Sequence, residues 1–273
     1  MKPIKNLLNG LLVLTFMFST TTFAQNTDAD DESSPVYMTL TITHWSGDPM
    51  SDFDTWKALE QEYFNKVTSK NDKILAAGVY THMLSDDSSE VLFAYVYKNW
   101  EDIETSQDIT NKLIEEAWPN EDSRKAFFEK QSSYYGSDHS DEIYVSTKLN
   151  KPLNTNSTEP LIYYAMRHTI SSNQDANRDK VQEYFDNVTA KNDYVKGVYG
   201  YRHRWGSNGR ELLMVQVFEN FEDFDKSYLE NQKLLEEYMP NEDERKEFIK
   251  EMRKNFDGHS DALYENVPEL SKR

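Results

Sequence analysis

The chain has 273 residues, no cysteine and a formal net charge of −18, with 48 Asp and Glu against 30 Lys and Arg. An acidic surface of this kind repels phosphate backbones and anionic headgroups, which sets aside nucleic acid and membrane surfaces as principal partners. The absence of cysteine excludes disulfides and thiolate metal sites.

Residues 1–24 carry Lys2 and Lys5, an apolar run from Leu7 to Phe18, and Thr22-Phe23-Ala24 with small residues where a signal peptidase reads. That pattern predicts a cleavable signal peptide and a periplasmic or secreted mature protein beginning near Gln25. The apolar run is too short for a permanent span, and no later stretch approaches the roughly 18 to 20 apolar residues that spanning needs, so no membrane span is expected. Residues 25–35, acidic and without apolar periodicity, read as a mobile arm.

From there the chain repeats itself. At an offset of 121, Gln61 to Asp72 (QEYFNKVTSKND) pairs with Gln182 to Asp193 (QEYFDNVTAKND), and the register holds without a gap to Phe127 and Phe248. About 29 of 67 positions are identical. The period is far longer than that of a solenoid, so the repeating unit is a whole domain. Residues 36–147 form the first repeat and 161–267 the second, and the polar segment 148–160, bounded by Pro152 and Pro160, reads as a linker.

Within a repeat, residues 36–45 alternate with the period of a strand. A helix follows, with Phe53, Trp56, Leu59, Tyr63, Phe64 and Val67 on one stripe and Ser51 as its cap. Two strands, 76–84 and 91–97, meet through the turn at Asp86 to Ser89. Asn99 caps a second helix, which Pro119 ends. Asn120-Glu121-Asp122 starts a third, expected to run to about Tyr135 and stop at Gly136, and residues 143–145 form the last strand. The fold class is α+β: two ferredoxin-like βαββααβ repeats, a split βαβ arrangement with an extra helix.

With this topology and its duplication the chain resembles the dimeric α/β-barrel superfamily of ferredoxin-like domains. Its relatives include antibiotic-biosynthesis monooxygenases, NIPSNAP-like and EthD-like proteins and the haem-binding chlorite dismutases. The resemblance implies that two sheets close into a barrel, here within one chain, as a monomeric pseudo-dimer or as part of a homo-oligomer. None of those families' functional motifs matches residue by residue, so an architecture is implied and no activity.

The six histidines fall as three pairs: His82 with His203, His139 with His259 through a shared His-Ser-Asp, and His44 with His168 if one loop is three residues shorter. The expected strand order 4-1-3-2 brings the histidine positions of each repeat to one edge, with His139 and Asp141 nearest His44. Three readings stand. His-Ser-Asp could close the helix before the last strand. His44, His139 and Asp141 could hold a divalent metal or haem iron. One of His44, His139, His168 or His259 could serve as a general acid or base, tuned by Asp141 or Asp261.

The second repeat has Arg167, Arg202 and Arg204 where the first has Thr43, Thr81 and Met83, with Arg210 opposite Ser89. Arginines at this edge would suit a carboxylate or sulfate. In strand 91–97, Leu92, Ala94 and Val96 are expected to meet the helices, leaving Phe93, Tyr95 and Tyr97 toward the other sheet as an aromatic pocket lining.

The leading expectation is an exported small-molecule binding protein that holds an aromatic or anionic ligand in the barrel and needs no cofactor. An α/β-barrel oxygenase, or a haem- or metal-dependent enzyme, is the rival. A structural or surface interaction protein with a filled barrel is the third possibility.

Overall fold

The computed structural model of the chain describes residues 34–47 and 52–273. The expected signal peptide, nearly all of the expected arm and the expected cap Ser51 lie outside the described residues. In the first repeat the elements are β1 (Tyr37–Trp45), α1 (Phe53–Lys66), β2 (Ile74–Leu84), β3 (Glu90–Tyr97), α2 (Trp100–Ala117), α3 (Glu121–Ser132) and β4 (Tyr135–Lys151). The second repeats the order as β5 (Ile162–Ile170), α4 (Asp179–Asn187), β6 (Gly197–Trp205), β7 (Glu211–Phe218), α5 (Phe221–Tyr238), α6 (Glu242–Arg253) and β8 (Phe256–Asn266).

The residues shared by the repeats do the same work twice. Asn99 and Asn220 each accept from a backbone N–H three residues on, at 2.8 Å, and so cap α2 and α5. Asn120 and Asn241 do this for α3 and α6. Asn71 and Asn192, both fully buried, donate to the carbonyls of Ser106 and Ser227, tying the turn after the first helix of each repeat to the second helix.

One expected element differs. α3 stops at Ser132 and the chain enters β4 at Tyr135, so His139-Ser140-Asp141 lies within a strand and does not close a helix. The cause is Tyr135. Its ring stacks on Trp45 and its hydroxyl lies between Trp56 Nε1 (2.7 Å) and Glu60 Oε1 (2.7 Å), which draws the chain into extended form before Gly136. β4 also continues to Lys151, into the segment read as a linker.

Every strand pairs antiparallel with two neighbours, and the eight close into a ring in the order β1-β3-β2-β8-β5-β7-β6-β4. Each repeat contributes four strands in the order 4-1-3-2, and the seams between repeats are β2 with β8 and β4 with β6. Residues Ser34–Arg273 form one compact unit. Since β1, β2, β5 and β6 run opposite to the other four, the ends of those strands and the starts of β3, β4, β7 and β8 share one end of the barrel. Helices cover the outside, over buried Trp56, Val67, Val91, Trp118 and Phe127 in the first repeat and Phe185, Val195, Val198 and Phe218 in the second.

Glu60 is an acid in that outer layer, 4% exposed and held by Tyr135 and by Gln131 Nε2 at 3.1 and 3.0 Å. Burial raises its carboxyl above the ordinary value, although both partners pull the other way. A raised folded-state value favours the protonated acid, so this group's contribution is fully present below the ordinary carboxylate range and is lost as pH rises through the raised value. The same place in the second repeat is Val181. Glu60→Gln is therefore expected to raise the melting temperature at neutral pH, with the gain vanishing in acid, as thermal scans across pH will show.

Candidate functional site

Alternation along the strands decides what faces the barrel interior. On β1, Met38 and Leu40 point inward; on β3, Leu92, Ala94 and Val96; on β5, Tyr163, Ala165 and Arg167. The expectation for β3 is thus reversed. Phe93, Tyr95 and Tyr97 lie on the outer face under the helices, against Tyr135, Phe64 and Ile103. Burial and the nearby Tyr63 and Glu60 push the Tyr95 phenol up. Both faces of β3 are apolar, and the aromatic one packs with the residues under the helices.

The same alternation corrects one histidine pairing. Thr43 stands opposite Val91 and His139, and His168 stands opposite Leu212 and His259, so the counterpart of His168 is Thr43 and not His44. A slip of one residue would turn every side chain of the strand to the other face. Arg167 consequently replaces Ile42, an interior position, and not Thr43.

The interior holds a cavity of about 340 Å³. Its apolar wall includes Met38, Leu92, Ala94 and Val215; its polar groups are Tyr80, Tyr163, Tyr199, Tyr201, Tyr264 and Arg167. At the end away from the histidines, Ser271, Lys272 and Arg273 line the mouth, held by reciprocal backbone bonds between Lys272 and Ala77 at 3.0 and 2.9 Å. Tyr80 and Tyr163 meet edge to face with ring centroids 4.6 Å apart. Burial raises both phenols, Tyr163 to about 12 and Tyr80 further, and also raises Tyr199 and Tyr201. These tyrosines stay neutral and present hydrogen-bond donors to whatever occupies the cavity.

At the histidine end the two repeats clasp each other twice. Tyr144 of the first repeat donates to Glu211 Oε1 of the second at 2.6 Å, and Tyr264 of the second donates to Glu90 Oε2 of the first at 2.8 Å. Arg167 joins only one of these pairs: its Nη1 lies 2.9 Å from Glu211 Oε1 and 3.2 Å from the Tyr144 hydroxyl. Arg167 is the cation at the histidine end of the cavity, with Glu211 behind it, while Lys272 and Arg273 stand at the other end. Sequence reasoning missed Tyr144, Tyr264, Glu90, Glu211, Tyr80 and Tyr201. A signal was present, since these are three tyrosine or glutamate pairs identical between the repeats.

The other expected arginines do not converge on Arg167. Tyr201 and His203 turn inward on β6, so Arg202 and Arg204 between and beyond them are exposed on the outer face. Arg210 is spent on Asp257 at 2.7 Å and the Ile170 carbonyl at 3.3 Å.

The histidines gather at one end of the barrel but not at one point. His139 lies 3.4 Å from Asp141 and His259 lies 3.3 Å from Asp261, both pairs exposed on the outer face. His44 lies 3.3 Å from the Asp138 carbonyl and 3.4 Å from Asp87. His203 is 3.0 Å from Glu142, with both side chains 5% exposed, and Ser207 closes that carboxylate with its N–H and hydroxyl. His82 lies 2.9 Å from the Ser85 hydroxyl.

His168 packs on Phe256 and His259, with centroids at 4.6 and 5.5 Å. Burial first, and then His259, hold its imidazole below the ordinary value. A depressed folded-state value means that the unfolded chain binds more protons, so this contribution is complete above the ordinary imidazole range and is lost as pH falls through it. His168→Gln is expected to flatten the fall in melting temperature on mild acidification.

Among the described residues no three His, Cys, Asp or Glu groups are placed to hold a metal ion, so His44, His139 and Asp141 do not form the expected ligand set. Haem iron needs an axial donor aimed into its slot, commonly an imidazole or a phenolate. No described histidine lines the cavity, so its wall offers haem iron no imidazole.

An eight-stranded barrel made of two ferredoxin-like halves, with helices outside, is the fold of the dimeric α+β-barrel proteins. The chain is similar in structure to a candidate monooxygenase from Fusobacterium nucleatum, with TM-score 0.55 and 12% identity over 86% of this chain and 93% of that one. It is also similar to a candidate monooxygenase from Lactobacillus acidophilus, with TM-score 0.53 and 10% identity over the same shares. A variant of the chlorite dismutase from Candidatus Nitrospira defluvii gives TM-score 0.51 and 15% identity over 87% and 93%. At these identities the likeness is one of fold. No family model and no curated protein sequence matches the chain.

Proposed function

We propose that the chain takes a small, flat aromatic molecule with an ionisable hydroxyl or carboxyl group into the barrel and promotes its oxygenation by dioxygen. The observation that carries this reading is the cavity of about 340 Å³, walled by aliphatic side chains and neutral tyrosines, with Arg167 as the cation at its histidine end and Lys272 and Arg273 at its mouth. Such a lining suits an aromatic body, and a guanidinium suits an oxyanion. The cavity also argues against a filled barrel. The fold likeness to candidate monooxygenases favours the oxygenase over a plain binding protein.

An aromatic substrate with an acidic hydroxyl can itself be the reductant. Where a ring-flanked methylene becomes a carbonyl, one oxygen atom of dioxygen enters the substrate and the other leaves as water, the substrate supplying all four electrons. The protein's part is to accept the first proton and to hold the resulting anion in a dry site. Arg167 does the holding. From the N-terminal sequence we place this activity in the periplasm or outside the cell. Among the described residues no helix is long and apolar enough to cross a membrane.

The test is a panel of hydroxylated aromatics and aromatic acids, followed in parallel by thermal shift and by oxygen uptake. Stabilisation together with uptake supports the oxygenase. Stabilisation without uptake returns the chain to the binding-protein reading, which rests on the same cavity. Neither effect with any compound would overturn both.

A further inference from the structure

The duplicated Tyr–Glu clasps are equivalent in sequence but not in surroundings. On one side Glu211 is neutralised by Arg167. The residue standing three places after His82 and preceding Glu90 in the turn, Ser85, has Gly206 as its counterpart, and His203, the counterpart of His82, is locked onto Glu142. That side ends in an ion pair.

On the other side Ile42 replaces the arginine and Ala262 replaces Glu142, so neither Glu90 nor His82 meets those partners. A continuous line of polar atoms results. Tyr264, which lines the cavity, donates to Glu90 Oε2 at 2.8 Å. Ser85 Oγ lies 3.1 Å from the same oxygen, and His82 Nδ1 lies 2.9 Å from Ser85 Oγ. His82 and Ser85 are partly exposed, so the line runs from the cavity wall to the rim.

We propose that Tyr264 and Glu90 are the proton-accepting side of the cavity and that Ser85 and His82 carry the proton out to solvent. In the step, the O–H bond of a bound phenol breaks and its electron pair stays on the substrate oxygen. The proton joins the Tyr264 oxygen as the Tyr264 proton passes to Glu90. Glu90 then returns it through the Ser85 hydroxyl to His82 Nδ1, and the imidazolium releases a proton from Nε2 to water. Tyr264 is the residue that touches substrate; Glu90, Ser85 and His82 act through it. Duplication has thereby given the cavity one anion-holding side, Arg167 with Glu211, and one proton-removing side. This inference rests on the reading that an ionisable aromatic molecule binds in the barrel.

The probes are 4-nitrophenol and 4-nitrocatechol, whose phenolates absorb visible light while their phenols do not. Below the probe's own pKa, the wild-type chain is expected to bind it as the phenolate and to release a proton into weakly buffered medium. Glu90→Gln keeps a hydrogen-bond acceptor for Tyr264 and is expected to slow the appearance of the bound phenolate roughly tenfold or more in stopped flow, as is Tyr264→Phe. His82→Ala is expected to slow proton release roughly tenfold or more, with added imidazole restoring it. A merely structural histidine would show no such rescue.

In the ligand-free chain, Glu90→Gln is expected to alter the NMR titration of His82 and to leave that of His203 unchanged. The groups facing His82 are Ser85, Asp87 and Glu90 on its own hairpin, His44 through Asp87, and Tyr264 from β8. An equal rate of phenolate formation in Glu90→Gln, or an unaltered His82 titration, would overturn the relay while the binding reading stands. Failure of the wild-type chain to bind either probe would overturn both.

Discussion

Arg167→Met is expected to cost the fold about 3 kcal/mol and to weaken binding of any anionic aromatic ligand by more than tenfold, since breaking a largely buried pair strands the remaining charge. Glu211 is the stranded group. Its side chain is 10% exposed, and without the guanidinium it keeps only the Tyr144 hydroxyl. The double variant Arg167→Met, Glu211→Gln removes the stranded charge and is expected to recover most of the stability while leaving ligand binding lost. Denaturant unfolding and titration of the same three proteins separate the two effects. Full recovery of binding in the double variant would show that Arg167 serves the fold and not the ligand.

Gly206→Ala is expected to be the most damaging substitution among the described glycines, at about 3 kcal/mol, because it adds backbone strain to a steric overlap. Gly206 has φ +132°, a conformation that residues with a Cβ rarely adopt, and a Cβ built there would overlap the Glu142 carboxylate. That carboxylate is the centre of a buried latch across the β4–β6 seam, where His203 and Ser207 both hold it. For a domain of this size the cost corresponds to roughly 6 to 12 °C in melting temperature. Gly209→Ala, three residues on and with open space around it, is the control expected to change nothing. Equal melting temperatures for the two variants would remove the latch from the account.

Much of the fold was legible because the sequence states it twice. The caps Asn99 and Asn120, the tie Asn71 and the strand order 4-1-3-2 recur in the second repeat with the same bonds. What period-2 alternation could not decide is which face of a strand looks inward. On β3 both faces are apolar enough to be buried, and both are buried here, one in the barrel and one under helices. Choosing the aromatic face for the interior put Tyr95 and Tyr97 in the wrong layer. The histidine pairing of β1 with β5 failed for a related reason: an offset of one residue satisfies a match of letters, but only pairing across the sheet reveals the parity.

The candidate site was partly legible. Arg167 was found because it breaks the symmetry of the repeats, yet Arg202 and Arg204 broke it equally and face outward. The Tyr–Glu clasps were hidden by the opposite property. Tyr144, Tyr264, Glu90 and Glu211 are the same in both repeats, and each bond joins residues 67 or 174 positions apart across a seam that sequence alone does not define.

The central claim is that the barrel interior, with Arg167 as the cation at its histidine end, is a binding site for an ionisable aromatic molecule. The most direct measurement is a crystal structure of the full chain with 4-nitrophenol bound at a concentration near its dissociation constant. Density for the ring between Tyr199, Tyr201 and Leu92, with the phenolic oxygen between Arg167 and Tyr264, is the predicted result. A ring bound only outside the barrel, with the interior unchanged, would contradict it.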